Sequence, residues 1–253
     1  VITATAINNR DQLYQNLYDT GFQQRIASYA GQLQLSLLTG ASATDLANIA
    51  QGSEALAYRY ALKELNPFAV LGNNAIYDQH NAISQLDVYD PATGSGTLTS
   101  QWISDRAEML SWKIVRNEAD IEGIIRRTDG GESKDFVNFT VDSQTGKVTK
   151  EVLLVRGGTS LGKLNLQPQV AFGSSDSDPL NGSGFSDKLY GGDGKDTLVA
   201  QGGDDYLEGG QGDDLLNGGF GNDTYMYLGK EGDDTIVDAD GVGIGFVGFE
   251  CFG

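Results

Sequence analysis

Apolar positions along this chain follow three different rhythms. In the first, from Ser53 to Leu65 and from Leu98 to Asn117, they recur every three or four residues. Ala57, Tyr60, Ala61 and Leu65 form one stripe, and Trp102, Ile103, Met109, Leu110 and Ile114 form another. That spacing predicts two amphipathic helices, the first ended by Asn66-Pro67. Residues 1 to about 50 also look helical: Leu13 and Leu17, and Tyr14 and Tyr18, stand four apart, with Gly21, Gly31 and Gly40 as interruptions. Thr44-Asp45 is a cap for a short helix starting near Leu46. In the second rhythm apolar and polar residues alternate, from Phe136 to Val141 and from Lys147 to Val155, around the turn Asp142 to Gly146. This reads as a β-hairpin. Asp87 to Thr93 reads as a strand entering a turn.

The third rhythm has one large apolar residue per nine. It is clean in Gly191 to Val199, Gly209 to Asn217 and Gly218 to Met226. It is degenerate in Gly182 to Tyr190, where Phe185 stands at a glycine position, and in Ala200 to Glu208, where Ala200 and Gln201 replace a glycine pair. After Tyr227 and Leu228 it resumes at Gly229 with Gly232, Asp234 and Ile236. The rule is G-G-x-G-x-D-x-U-x, with U apolar, which is a β-helix repeat pattern. The first six residues are turn chemistry and the last three a very short strand. Side chains alternate on a strand, so U points inward and its neighbours point out. The inward set is Leu189, Leu198, Leu207, Leu216, Tyr225 and Ile236. One copy makes half a turn of a flattened coil, so six copies stack three turns.

One buried apolar side chain per nine ordered residues is too little to hold such a segment. Charge shows what supplies the rest. The chain carries a formal −18. From Ser174 onward there are 17 acidic residues against 3 basic ones, so most of the excess lies in the repeats. Asp187, Asp196, Asp205, Asp214, Asp223 and Asp234 recur at the sixth repeat position, and Asp193, Asp204, Asp213 and Asp233 stand nearby. Copies n and n+2 share an edge of the coil, where carboxylates and free carbonyls face each other. Many hard oxygen donors select Ca²⁺. Without it the carboxylates repel, and with it binding is folding. Nucleic acid and anionic membrane surfaces are disfavoured partners.

These repeats, Gly182 to Val237, resemble the parallel β-roll of the RTX proteins, the repeat-in-toxin, haemolysin-type calcium-binding family of secreted bacterial proteins. The resemblance implies export unfolded through a type I secretion channel of a Gram-negative bacterium and calcium-driven folding outside the cell. It implies several bound Ca²⁺ ions. Asp196, Asp205, Asp214 and Asp223 are then the strongest side-chain ligands, with Asp187 and Asp234 in degenerate copies. The turn residues Gly191, Asp193, Gly202, Asp204, Gly209, Gln211, Gly212, Asp213, Gly218, Phe220 and Gly221 complete the metal set. The fold class is α+β: a mainly helical domain with a small hairpin over residues 1–173, a right-handed parallel β-roll over 174–241, and a tail or truncated cap over 242–253. Phe246, Phe249 and Phe252 lie in that tail. Ala57 to Gly72 and Leu86 to Gly94, with Ser104-Asp105-Arg106, resemble a module found ahead of the repeats in some large RTX proteins, including lipase-like ones.

Other motifs weigh less. Gly158-Thr159-Ser160-Leu161-Gly162 fits the nucleophile-elbow pattern, but the one histidine, His80, lies upstream, whereas that architecture places it downstream. Loop is the simpler reading for Ser160, and a hydrogen-bonded structural role for His80. Asp178-Pro179 and Asp90-Pro91 read as turn chemistry. The lone Cys251 rules out an internal disulfide. Val1-Ile2-Thr3 has neither an initiator Met nor a cleavable signal, so the chain reads as part of a longer protein. The expected function is therefore a non-catalytic calcium-binding module of a secreted toxin-, lipase- or adhesin-like parent. A serine hydrolase using Ser160, and an adhesion module with a host-cell or surface ligand, are the alternatives.

Overall fold

The computed structural model describes residues 24, 33–53, 55–119, 121, 123–142, 145–157, 167–228 and 232–240, with 243–247 and 250–252 as backbone alone. They fall into two compact units, one built from the chain up to Ile121 without Pro91–Gly94, the other from Pro91–Gly94 and the chain beyond.

The first unit holds α1 (Ala43–Ala50), α2 (Leu56–Lys63), a 3₁₀ helix (Asn74–His80) and α3 (Ser100–Glu118). The stripes read from sequence become its core: Ala57, Ala61 and Leu65 are buried, as are Ile103, Met109, Leu110 and Ile114. Helix α3 starts at Ser100 because the Thr99 side chain accepts a hydrogen bond from the Trp102 amide at 3.0 Å, a standard N-cap. Arg106 is buried and donates to the Leu62 and Lys63 carbonyls at the end of α2. The helical reading of residues up to 50 is corrected at β1 (Gln34–Leu37), which pairs antiparallel with β2 (Phe68–Leu71). The physical reason is alternation: Leu33, Leu35 and Leu37 are separated by Gln34 and Ser36, a two-residue period. The expected strand at Asp87–Thr93 reduces to two isolated bridges, Val88 with Leu98 and Asp90 with Ser95, around a turn. Leu13, Tyr14, Leu17, Tyr18, Gly21 and Gly31 lie outside the described residues.

The second unit begins with β3 (Ile124–Arg126) and the hairpin β4 (Lys134–Val141) and β5 (Val148–Arg156). Its short strands then alternate between two sheets. On one side lie β6 (Gln169–Phe172), β8 (Lys188–Asp193), β10 (Tyr206–Gln211), β12 (Asp223–Tyr227) and β14 (Gly243–Val247). On the other lie β7 (Pro179–Asn181), β9 (Thr197–Val199), β11 (Leu215–Asn217) and β13 (Thr235–Val237). Up to β12 neighbours pair in parallel with an 18-residue offset, Lys188 with Tyr206 and Thr197 with Leu215, and β13 and β14 pair at 20 residues. Two nonapeptides therefore make one turn. The hairpin is not separate from this stack: β4 pairs in parallel with β6, so one nine-stranded sheet runs from β3 to the closing strand β15 (Glu250–Phe252).

The core is a single file. Leu180, Leu189, Leu198, Leu207, Leu216 and Tyr225 are buried, joined by Val137, Ala171 and Ala200. Two differences from the sequence reading stand out. The stack has about four turns rather than three: Gly173 to Asn181 is a further copy worth half a turn, with Gly173 at its first position, Asp178 at its sixth and Leu180 at its eighth, and β14 stacks in parallel beyond β12. Ile236, expected inside, is 49% exposed. It lines up with Leu216, but β13 is the last strand of its sheet among the described residues, and nothing stacks beyond it. No helix among the described residues is long and apolar enough to cross a membrane.

Candidate metal centre

The turns between the short strands form the two edges of the roll. Each turn carries one aspartate at its sixth position, buried in every case but the half-buried Asp234. Asp178, Asp196, Asp214 and Asp234 follow one another on one edge; Asp187, Asp205 and Asp223 follow on the other. The stack itself fixes their orientation. One carboxylate oxygen, Oδ1, of Asp187, Asp196, Asp205, Asp214, Asp223 and Asp234 accepts the main-chain N–H one turn back. The donors are Gln169, Asp178, Asp187, Asp196, Asp205 and Asp214, at 2.6–3.0 Å. Such a ladder satisfies main-chain donors that a sheet does not reach.

The second oxygen is the informative one. Oδ2 of Asp196, Asp205, Asp214 and Asp223 is buried and accepts no hydrogen bond. A buried carboxylate oxygen without a donor is costly. Oδ2 of Asp214 lies so near Gly209 that a Cβ there would stand 2.5 Å away. Glycine at the first repeat position thus leaves space beside the unbonded oxygen. Asp196 and Gly191 repeat the arrangement, as do Asp223 and Gly218.

Electrostatics agrees with geometry. Burial pushes the Asp196 and Asp205 carboxyls up to about 7 and Asp214 up to about 6, against the ladder hydrogen bonds, which pull down. Neighbouring carboxylates add to the rise: Asp214 and Asp178 act on Asp196, and Asp187 and Asp223 on Asp205. Asp187, Asp223 and Asp234 are shifted upward too, again chiefly by burial. Each edge is a column of like charges that the protein alone does not neutralise.

Two overlapping stretches, residues 172–207 and 190–225, match the family model described as RTX calcium-binding nonapeptide repeat. Residues 172–225 are RTX calcium-binding repeats. Comparison with curated proteins and with solved structures gave no match. The RTX match begins at Phe172, so it takes in the Gly173–Asn181 copy, and with it Asp178. The signal for that copy was present in the sequence as the 1, 6 and 8 positions; the serines and aspartate at its second to fifth positions hid it.

The residues fit a calcium ion. Unbonded carboxylate oxygens from successive RTX turns, beside glycine turns with close main-chain carbonyls, are the hard oxygen set Ca²⁺ takes. Among the described residues no three Asp, Glu, His or Cys side chains converge as a metal-binding group. What the roll brings together is aspartates one per turn, with main chain between them.

The other turn residues named from sequence take varied places. Asp193 ends β8 opposite Gln211 of β10, whose carbonyl accepts the Gly194 amide at 2.7 Å. Asp204 accepts the Asn222 amide at 2.9 Å, and Asp213 the Asp233 amide at 3.0 Å. These carboxylates brace neighbouring turns. The Phe220 ring is 68% exposed, while its carbonyl accepts the Gly203 amide at 2.9 Å and Gly202 bridges to it. Gly212 and Gly221 hold φ of +136° and +135°. Asp187 differs from the rest: both its oxygens are bonded within the protein. Ser160 and its flanking Gly158 and Gly162 lie outside the described residues. His80 is exposed, with its ring 4.7 Å from that of Tyr60.

A pH dependence follows from these carboxyls. Their folded pKa values lie above the ordinary carboxylate range, so between about 4 and 7 the folded roll binds more protons than the unfolded chain. In metal-free buffer, stability is then greatest near pH 4 and declines as pH rises to 7. With calcium the slope reverses, because protons compete with the ion as pH falls below about 7. The strand signal of the roll in far-ultraviolet dichroism, followed from pH 4 to 8 in calcium and in metal-depleted buffer, is expected to run in opposite directions. Parallel profiles would contradict the assignment.

Proposed function

We propose that this chain is a calcium-folded, non-catalytic module of a secreted protein. Its repeats form a right-handed parallel β-roll that binds several Ca²⁺ ions between successive turns. Asp196, Asp205, Asp214 and Asp223 supply the side-chain oxygens, and the main chain of the glycine turns supplies the others. The observation that carries this reading is the row of buried Oδ2 atoms with no donor, spaced one per turn, in repeats of the RTX type. Export unfolded through a type I secretion system fits such a module: where calcium is scarce the roll does not form, and outside the cell the ion completes it. An extracellular parent of toxin, lipase or adhesin type, from a Gram-negative bacterium, is the setting.

Calorimetric titration of the chain with Ca²⁺ tests it, comparing Asp214→Ala with Asp193→Ala. Removing Asp214 takes away an unbonded buried oxygen, so affinity is expected to fall at least about tenfold, the equivalent of a lost charge-assisted contact. Asp193→Ala removes an incompletely buried carboxylate at the end of β8, and the expected loss is about threefold or less. Equal losses, or no binding by the unsubstituted chain, would remove the basis of the reading.

A further inference from the structure

The roll contains two kinds of turn. In four of them, at 191–196, 200–205, 209–214 and 218–223, the backbone is left-handed at both the second and fourth positions. The φ values are +106° and +121° at Gly192 and Gly194, +81° and +118° at Gln201 and Gly203, +95° and +136° at Gly210 and Gly212, and +99° and +135° at Gly219 and Gly221. The sixth-position Asp of each has Oδ2 unbonded. In two others that are also described in full, at 173–178 and 182–187, neither the second nor the fourth position has positive φ.

Serine makes the difference. Ser174 and Ser183 occupy the second position of these two turns. The Ser174 amide and hydroxyl both donate to Asp178 Oδ2 at 2.6 Å, and the hydroxyl accepts the Asp176 amide at 3.2 Å. Ser183 repeats the motif: its amide and hydroxyl donate to Asp187 Oδ2, and the hydroxyl accepts the Phe185 amide at 3.2 Å. The oxygen left bare in the glycine turns is here bonded twice; both oxygens of Asp187 are then satisfied, while Asp178, first on its edge, keeps its other oxygen, Oδ1, buried without a donor. The two serine turns are also the first on their respective edges. The strands they join, β6 to β8, continue from the β4–β5 hairpin, whose pairing involves no repeat turn, through the β4 and β6 register of Asp135 with Gln169.

We infer that residues 167–190 fold without calcium and serve as the template on which the calcium-dependent turns are added. Ser174 and Ser183 take the place of a cation at Oδ2 of Asp178 and Asp187. Metal-driven folding of the roll then has a direction, from the hairpin outward, and its first step is already complete in the apo chain. This rests on the calcium reading above.

Hydrogen exchange of the whole chain, followed by mass spectrometry in calcium and after dialysis against EGTA, tests both and separates them. The expected result is that EGTA leaves 167–190 protected while 196–226 speed up by at least about tenfold. Exchange of 167–190 as fast as 196–226 in EGTA would overturn the template and leave calcium folding intact. Protection of the whole roll in EGTA would overturn both. The double variant Ser174→Gly with Ser183→Gly, which removes both hydroxyls and the bonds they give and accept, is expected to match the parent in calcium but to lose at least about tenfold protection over 167–190 in EGTA. Unchanged protection in that variant would overturn the role of the serines. The comparison on the unsubstituted chain stands by itself if the double variant does not fold.

Discussion

Withdrawing calcium with EGTA is expected to erase the strand signal of residues 191–226 from the far-ultraviolet circular dichroism while leaving the helical signal in place. The repeats bury one large apolar side chain per nine residues, in single file. Against that stand two columns of buried carboxylates whose charges repel, with Oδ2 of Asp196, Asp205, Asp214 and Asp223 lacking any donor. Burial on this scale does not offset the ordering of so many glycine-rich turns. The first unit has its own core, from Ala57 and Ala61 of α2 to Ile103, Met109 and Leu110 of α3, and contains none of these columns. Both tryptophans of the chain, Trp102 and Trp112, sit on α3, so tryptophan emission reports that unit alone. EGTA should therefore change the dichroism and leave the emission where it was, and excess calcium should restore the spectrum. A dichroism spectrum unmoved by EGTA, in protein shown to be free of metal, would end the calcium account. Loss of both signals would show that the ion holds more than the roll.

How much of this was visible in the residues depends on whether the signal is local. The nine-residue register is local, and it placed Leu198, Leu207 and Leu216 inside before any strand was seen. Helices α2 and α3 were legible for the same reason: the apolar positions of each stripe lie within one or two turns of each other. What did not show was everything set by a partner far along the chain. The register of Asp135 with Gln169 joins the hairpin to the roll, yet neither strand carries a mark of the other. The exposure of Ile236 depends on whether another strand stacks beyond it, which its own repeat does not encode. The aspartates were legible as a register, but what each oxygen does was not. That Oδ1 is taken up by an amide 18 residues earlier needs the coil to be built first. The copy at Gly173 kept its first, sixth and eighth positions, but Ser174 and Asp176 at the glycine positions broke the pattern a repeat search follows. Those same departures give Asp178 Oδ2 two donors within its own turn, so the least legible repeat is also physically distinct.

Alanine at Gly212 is expected to do more damage than loss of one of the carboxylates proposed to hold calcium. Gly212 holds φ at +136°, where residues with a Cβ are rarely found, and a Cβ there would fall on the carbonyl oxygen of Gly194, one turn back. The first cost is backbone strain, on the order of 1–3 kcal/mol. The second cannot be relieved by a side chain turning aside, because the obstacle is main chain. Either the two turns part or the 209–214 turn changes conformation. Parting the turns moves Asp214 away from Asp196 and breaks the hydrogen bond from the Asp196 amide to Asp214 Oδ1. The steric defect therefore becomes a metal-binding defect. Gly130 is the control: its φ is +76° with nothing within 4 Å of a Cβ, so alanine there brings strain without a collision. Followed by dichroism, the calcium midpoint for folding should rise at least about hundredfold in Gly212→Ala, for a combined cost near 3 kcal/mol, and by less than about tenfold in Gly130→Ala. Equal shifts in the two would mean that close stacking of the turns is not what couples folding to the ion.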